Sequence, residues 1–123
     1  MADRLIFLGT GTSTGVPQIG CACEVCTSLD QRDRRLRCSA LLELSGKRLL
    51  IDCGPDFREQ ILALGSPDIN ALLISHGHYD HIGGMDDLRP YCYAHNGLDV
   101  YCRKDVAMDL RTKMPYSFNP AHP

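Results

Sequence analysis

The chain lacks any apolar run near the ~20 residues that a membrane helix needs. Its opening, MADRLIFLGTGTSTG, holds an apolar run of only four residues, at 5–8. That is too short for the core of an export signal, so a cytoplasmic location and no membrane partner are expected. Charge of one sign is also scarce. The formal net charge is −2, so no global field draws in nucleic acid or anionic membrane. There is no internal repeat, no low-complexity tract and no mid-chain linker. The 123 residues, 44% hydrophobic and 23% charged, suffice for one domain over residues 1–123 with one core.

Cysteine, by contrast, is plentiful: seven, an odd number. Without an export signal a disulfide framework is not expected. Cys21, Cys23 and Cys26 fall within six residues of a glycine-rich loop, GCACEVC. Three thiolates so placed suit a tetrahedral structural zinc site, which still wants a fourth ligand. The other reading is three free thiols. Cys38, Cys53, Cys92 and Cys102 are scattered and read as small buried side chains.

Hydrophobic patterning gives alternating strands and helices. RLIFLG is a short buried strand ending in a glycine turn. Residues 9–20 hold five glycines or prolines and four hydroxyl residues, so they form a loop. CSALLELSGKRLLIDCG is a hairpin turning at Ser45-Gly46-Lys47. PDFREQILALG is a helix with Pro55 at its first position, Phe57, Ile61 and Leu64 on its apolar face, and Gly65 as its stop. ALLIS is a strand suited to burial on both faces. GGMDDLRPYCYAHNG starts as a helix with two acids in its first turn, and Pro90 kinks or ends it. LDVYC is a strand. KDVAMDLRTKM is a helix that buries Val106, Leu110 and Met114 and stops at Pro115. The result is an α/β layout with helices covering a mixed sheet.

The densest chemistry follows ALLIS directly. SHGHYDHIGG places three of the five histidines and an aspartate in six positions, 76–81. Imidazole and carboxylate are ligands for zinc, iron or manganese. In an extended loop His76 and His78 point the same way and can share one metal. Asp80 and His81 lie past the turn and can serve a second. Gly77, Gly83 and Gly84 allow tight backbone paths. Neutral, metal-bound histidines do not compete for protons, which explains the crowding. Two other stretches carry less. DQRDRRLR, residues 30–37, has four arginines and two aspartates; phosphate contact is one reading, but the mixed charge favours a solvated connection. GTGTSTG has no Lys-Ser/Thr ending for a phosphate loop and reads as a turn near the metals, with Thr10, Thr12, Ser13 and Thr14 able to touch substrate.

HGHYDHIGG after an apolar strand resembles the His-x-His-x-Asp-His signature of the metallo-β-lactamase superfamily. LGTGTSTGVPQIGCACEVC and LLIDCGPDFREQ resemble the branch of phosphonate-pathway cyclic phosphodiesterases related to ribonuclease Z. The resemblance implies that His76 and His78 bind one zinc and Asp80 and His81 a second, with manganese or iron as alternatives. It gives Asp80 a catalytic part in orienting the nucleophile, and gives Asp52 the support of the metal loop from behind. The cysteine zinc takes a late histidine in that family, for which His122 is the candidate. The implied fold is an αββα sandwich, of which this chain supplies about the N-terminal half and is truncated at the C-terminus. The other half contributes a third histidine, a bridging aspartate and a last histidine, so the site here is half built.

The implied activity is metal-dependent hydrolysis of a small-molecule or nucleotide phosphodiester by a metal-bound hydroxide at a two-metal centre. The competing class is a non-catalytic fragment, or a subunit that needs a complementary C-terminal half. RLIFL, ALLEL and ALLIS carry more apolar surface than the helices can cover. A homodimer or that complementary half is therefore the expected partner.

Overall fold

A computed structural model describes residues 2–118. In chain order the elements are β1 (Arg4–Gly9), β2 (Ser39–Leu44), β3 (Lys47–Ile51), α1 (Phe57–Ala63), β4 (Ala71–Leu73), α2 (Tyr79–Ile82), α3 (Arg89–His95), β5 (Asp99–Tyr101) and α4 (Lys104–Lys113). Short 3₁₀ turns sit at Gln31–Asp33, Met85–Leu88 and Pro115–Phe118. The strands form one sheet in the order β1-β2-β3-β4-β5. The first two pairings are antiparallel and the last two parallel, which makes the sheet mixed as expected.

The hairpin turns on two residues, not three. Ser45 and Gly46 both have positive φ, 50° and 79°, and Leu44 already pairs with Lys47. Positive φ at both central positions is the type I′ geometry, whose twist matches the flanking strands. Both parallel connections, β3 to β4 and β4 to β5, step the same way along the sheet. Given the common hand of such crossovers, their helices share one face. There Ile6, Leu41, Leu50, Leu72 and Val100 lie opposite one another in a row across all five strands. Phe57 and Ile61 of α1, Ile82 and Met85, and Val106 and Leu110 of α4 join this row in the core.

The other face is bare among the described residues. Phe7, Ala40, Ile51, Leu73 and Tyr101 form its corresponding row, with Phe7 71% and Tyr101 57% exposed. This corrects the expectation that ALLIS is buried on both faces. Leu72 and Ile74 are buried, but Leu73 between them is exposed, because strand side chains alternate and only one face is covered.

Three helix details also differ. Pro55 lies in the turn before α1, where Asp56 is the N-cap residue. Leu64 caps the helix and stays exposed, as the chain turns away at Gly65 with φ 79°. Pro90 does not end a helix but sits in the first turn of α3, where a missing N–H costs nothing. Asn96, in the left-handed region, ends that helix. No helix among the described residues is long and apolar enough to cross a membrane.

Candidate metal centre

β3 and β4 are parallel neighbours with Ile51 opposite Leu73. The chain therefore leaves both strands at the same edge, where sites of α/β sheets form. Asp52 emerges from β3 and Ser75 and His76 from β4. Asp52 is buried and has φ 61°, in the left-handed region. Aspartate is among the few residues that tolerate this conformation. The bend is held by the Asp52 N–H on the Leu73 carbonyl at 2.8 Å, and by the Ser39 hydroxyl on the Ile51 and Asp52 carbonyls. It turns the Asp52 carboxylate back toward β4. There it accepts the Ser75 N–H at 2.7 Å, the Ser75 hydroxyl at 2.6 Å and, from His81 Nδ1, a hydrogen bond of 2.6 Å.

That last bond fixes the chemistry of His81. With Nδ1–H donating to Asp52, the lone pair of Nε2 is left facing outward. Nε2 lies 2.8 Å from Asp80 Oδ2. Two lone-pair groups at this distance need a cation or a proton between them. Two ligand atoms 2.0–2.2 Å from one tetrahedral zinc lie about 3.3–3.6 Å apart, so the pair stands at hydrogen-bond distance and would open by about half an ångström to share an ion. The His76 ring stands 4.0 Å from that of His81 and 4.6 Å, edge-on, from that of His78. Ser75 Oγ is 3.0 Å from His76 Nδ1. Since its own proton goes to Asp52, it accepts from His76 and orients that ring as well. His76, His78, Asp80, His81 and Asp52 thus lie side by side at this strand edge. Their contacts are close pairs, not a closed triple of ligand atoms.

Backbone packing holds the loop in place. The Cys53 N–H bonds to the His81 carbonyl at 2.8 Å and the Gly84 N–H to the Cys53 carbonyl at 3.0 Å. A Cβ on Gly54 would lie 2.1 Å from the Asp80 carbonyl oxygen, and one on Gly84 would lie 2.0 Å from that of Gly54. Glycine at both positions lets the two segments touch. From α4, Lys113 Nζ reaches the Gly77 carbonyl at 3.1 Å.

Beside the ligands, a cleft of about 380 Å³ is lined by Thr10, Thr12, Ser13, Cys38, Asp80 and His81. The GTGTSTG loop is therefore next to the candidate centre, as its reading predicts. Arg37 braces it: Nε donates to the Ser13 carbonyl and Nη1 pairs with Asp56 at 3.0 Å. Cys38 was expected to be buried and is exposed. It lies at the rim of β2, where the paired segments 10–16 and 35–38 open into the cleft. Cys53 is buried, and burial, with smaller contributions from the charges of Asp87 and Asp52, pushes its thiol well above the ordinary range.

Cys21, Cys23 and Cys26 converge as a second cluster, with all three sulfurs within 4.8 Å of one another. The Cys26 N–H points at the Cys23 sulfur at 3.4 Å. This contact, helped by the neighbouring thiols, lowers Cys23 to about 7. A ready thiolate in a three-sulfur cradle fits a zinc ion. The fourth-ligand candidate His122 lies outside the described residues. His95 joins neither cluster, because its Nε2 pairs with Asp68 at 2.6 Å.

Sequence reading missed Ser75, Gly54 and the cleft position of Cys38. Ser75 had a signal, being the hydroxyl residue between strand and first histidine. The other two had none, because their partners are distant in the chain.

The family model described as a beta-lactamase superfamily domain matches residues 47–123. A protein of Porphyromonas gingivalis named octanoyltransferase is 50% identical over 94% of this chain and 23% of its own length. A solved structure of a diphosphatase from the PhnP family superimposes with TM-score 0.89 at 45% identity, covering 96% of this chain and 48% of that one. The zinc-bound PqqB of Methylobacterium extorquens gives TM-score 0.75 at 25% identity, over 88% of this chain and 42% of that one. The chain spans less than half the length of each of these three proteins. By its matched family model, its sheet and helix arrangement and these likenesses, the chain belongs to the metallo-β-lactamase superfamily.

Proposed function

We propose that the chain is the N-terminal part of a metal-dependent hydrolase that cleaves phosphoester substrates, phosphodiesters first. The observation that carries this reading is His81, held by Asp52 through Nδ1 while Nε2 faces the Asp80 carboxylate at 2.8 Å. His76 and His78 would hold one divalent ion, and Asp80 and His81 a second; zinc is the first candidate, with manganese or iron as alternatives. When bound, such ions supply Lewis acidity and lower the pKa of water to about 7. Asp52 and Ser75 fix the two inner rings, so little reorganisation is needed at the reacting centre. Asp80, on the cleft wall, is placed to orient the attacking water. Thr10, Thr12 and Ser13 line the same cleft and can donate hydroxyls to substrate oxygens.

The likeness to a PhnP-family diphosphatase over 96% of the chain supports chemistry at phosphorus. Octanoyl transfer has less support, since only 23% of the protein of that name is matched. The cysteine cluster would hold a separate structural zinc. The bare sheet face would be covered by a second sheet supplied by the remainder of the protein. The alternative, a non-catalytic fragment or a subunit awaiting its other half, is favoured by one feature: the described residues bring only four ligand-type side chains to the histidine cluster.

The test is turnover of bis(p-nitrophenyl) phosphate by the full-length, metal-loaded protein. Chelation, Asp80→Asn and His76→Ala should each abolish it. Turnover unaffected by all three would overturn the reading.

A further inference from the structure

In the arginine-rich segment that reads as a solvated connection, Arg32, Arg34 and Arg35 are exposed and Arg37 is half-buried. Arg37 is committed at its backbone and at its guanidinium. Its N–H donates to Asp56 Oδ2 at 2.8 Å, and its carbonyl accepts from Gln60 Nε2 at 2.8 Å. Two side chains at the start of α1 thus pin the chain here. The guanidinium then spans two segments. Nη1 meets Asp56 Oδ1 at 3.0 Å, and Nε donates to the Ser13 carbonyl at 3.1 Å. Asp56 is the N-cap residue of α1, yet its side chain makes no capping hydrogen bond. A carboxylate in that position ordinarily accepts a helix N–H. Here both oxygens go to Arg37, so the fold forgoes a cap to hold this arginine.

The two segments that Arg37 joins carry the two walls of the cleft. One wall is Thr10, Thr12 and Ser13. Thr12 has φ 54°. For a β-branched residue this left-handed conformation is costly and persists only where the surroundings impose it. Residues 35–38 impose it: the Gly11 N–H bonds to the Leu36 carbonyl at 2.7 Å, the Cys38 N–H to the Thr12 carbonyl at 3.2 Å, and Arg37 to Ser13. The other wall is Asp80 and His81. Asp56 continues the segment in which Gly54 lies against the Asp80 carbonyl and the Cys53 N–H bonds to that of His81. We infer that Arg37 is a positioning residue: its one side chain ties Ser13 to segment 53–56, and so sets Thr12 and Ser13 opposite Asp80 and His81 across the cleft. This rests on the phosphoester reading above and gives that site a residue that acts on substrate fit and not on metal binding. Among the described residues Arg37 makes no hydrogen bond to Asp52, Ser75 or a histidine, so the histidine rings keep their supports when it is lost.

The experiment compares the full-length, metal-loaded protein with its Arg37→Gln variant. Amide hydrogen exchange reads the wall directly, because the Gly15 N–H is held by the Gly11 carbonyl and the Cys38 N–H by that of Thr12. Both should exchange about tenfold faster or more in the variant, as local opening becomes easier. For bis(p-nitrophenyl) phosphate, kcat/KM should fall about 10- to 100-fold, the cost of a misplacement of about an ångström, while metal titration of the histidine centre is unchanged. Adding Thr12→Gly should slow exchange at Gly15 again, because glycine adopts the left-handed turn without strain; an arginine that only adds general stability would show no such reversal. Asp56→Asn, which keeps an acceptor for the Arg37 N–H and removes no helix cap, should act in the same direction and covers the case in which Arg37→Gln fails to fold. Unchanged exchange at both amides overturns the inference. So do faster exchange with undiminished turnover, loss of metal from the histidine centre, and failure of Thr12→Gly to reverse the exchange. If the wild type does not turn over the ester while Arg37→Gln still frees both amides and Thr12→Gly restrains them, the hold on the wall stands and the hydrolase reading fails.

Discussion

His81 illustrates how one side chain is given a single orientation. Asp52 accepts a hydrogen bond from its Nδ1–H at 2.6 Å and Asp80 faces its Nε2 at 2.8 Å, so the ring can neither flip nor rotate without losing both. Asp52→Asn replaces the accepting carboxylate by a neutral amide. Support of this kind is worth 10–100-fold in metal affinity, and a loss of about that size is expected for the histidine centre, read by metal titration, with the cysteine zinc retained. Thiol reactivity gives a second test at this scale. Cys53 is buried and its pKa is raised, whereas Cys38 is exposed at the cleft. Brief treatment of the folded protein with iodoacetamide should label Cys38 and spare Cys53, as read by peptide mass spectrometry. Labelling of Cys53 at the same rate would contradict the packing of β3 against α1.

Between elements, the contact of Gly54 with the Asp80 backbone links strand, loop and site. A methyl at Gly54 would meet the Asp80 carbonyl oxygen at 2.1 Å, so one segment must move. Gly54→Ala should cost about 1–3 kcal/mol, as overpacking does, and displace Asp80; denaturant unfolding and metal content read the two effects. The cysteine loop predicts the opposite pattern. Cys21→Ser with Cys23→Ser should remove one zinc and leave the histidine metals, because the three thiols come from one loop and none of them joins the histidine cluster; loss of all metals together would argue against two sites. The first three strands share another device. Glu43 is buried between Arg4 and Arg48, and Arg4 foremost holds its carboxyl below the usual range. A lowered folded pKa stabilises above the unfolded value, about 4.3 for Glu, and that stability is lost as pH falls through the folded value. The urea midpoint of Glu43→Gln should therefore lie below that of the wild type at pH 7, and the gap should close in acid. A gap independent of pH would assign the loss to packing.

For the molecule as a whole, the governing fact is a sheet with one covered face and one bare face. Leu5, Phe7, Leu73 and Tyr101 are all exposed on the bare face. Each leucine-sized side chain left there forgoes about 1.5–3 kcal/mol of burial, and a contiguous patch of them marks an interface. Residues 1–123 made as a separate protein should associate or aggregate, and should bind the second ion weakly, lacking further ligands to hold it. Light scattering and metal titration test both. A stable monomer holding two ions at the histidine cluster would show that four ligands and one covered face are enough.

The sequence by itself determined the element order, the mixed sheet and the two groupings of ligand-type side chains. Each of these is a short-range pattern: alternation within a strand, glycine after a helix, ligands spaced within six residues of one another. Pro90 and Leu64 were misread because a residue's preference does not say whether a helix starts or stops there, nor where the chain turns next. The tertiary structure decided everything that joins distant segments. Parallel pairing of β3 with β4 brought Asp52 to Ser75 and His81, and close packing made Gly54 necessary. The same packing brought the Arg35 guanidinium to the Thr10 hydroxyl at 2.7 Å. Contacts of that kind are fixed by strand register and backbone approach, which no local pattern of residues records.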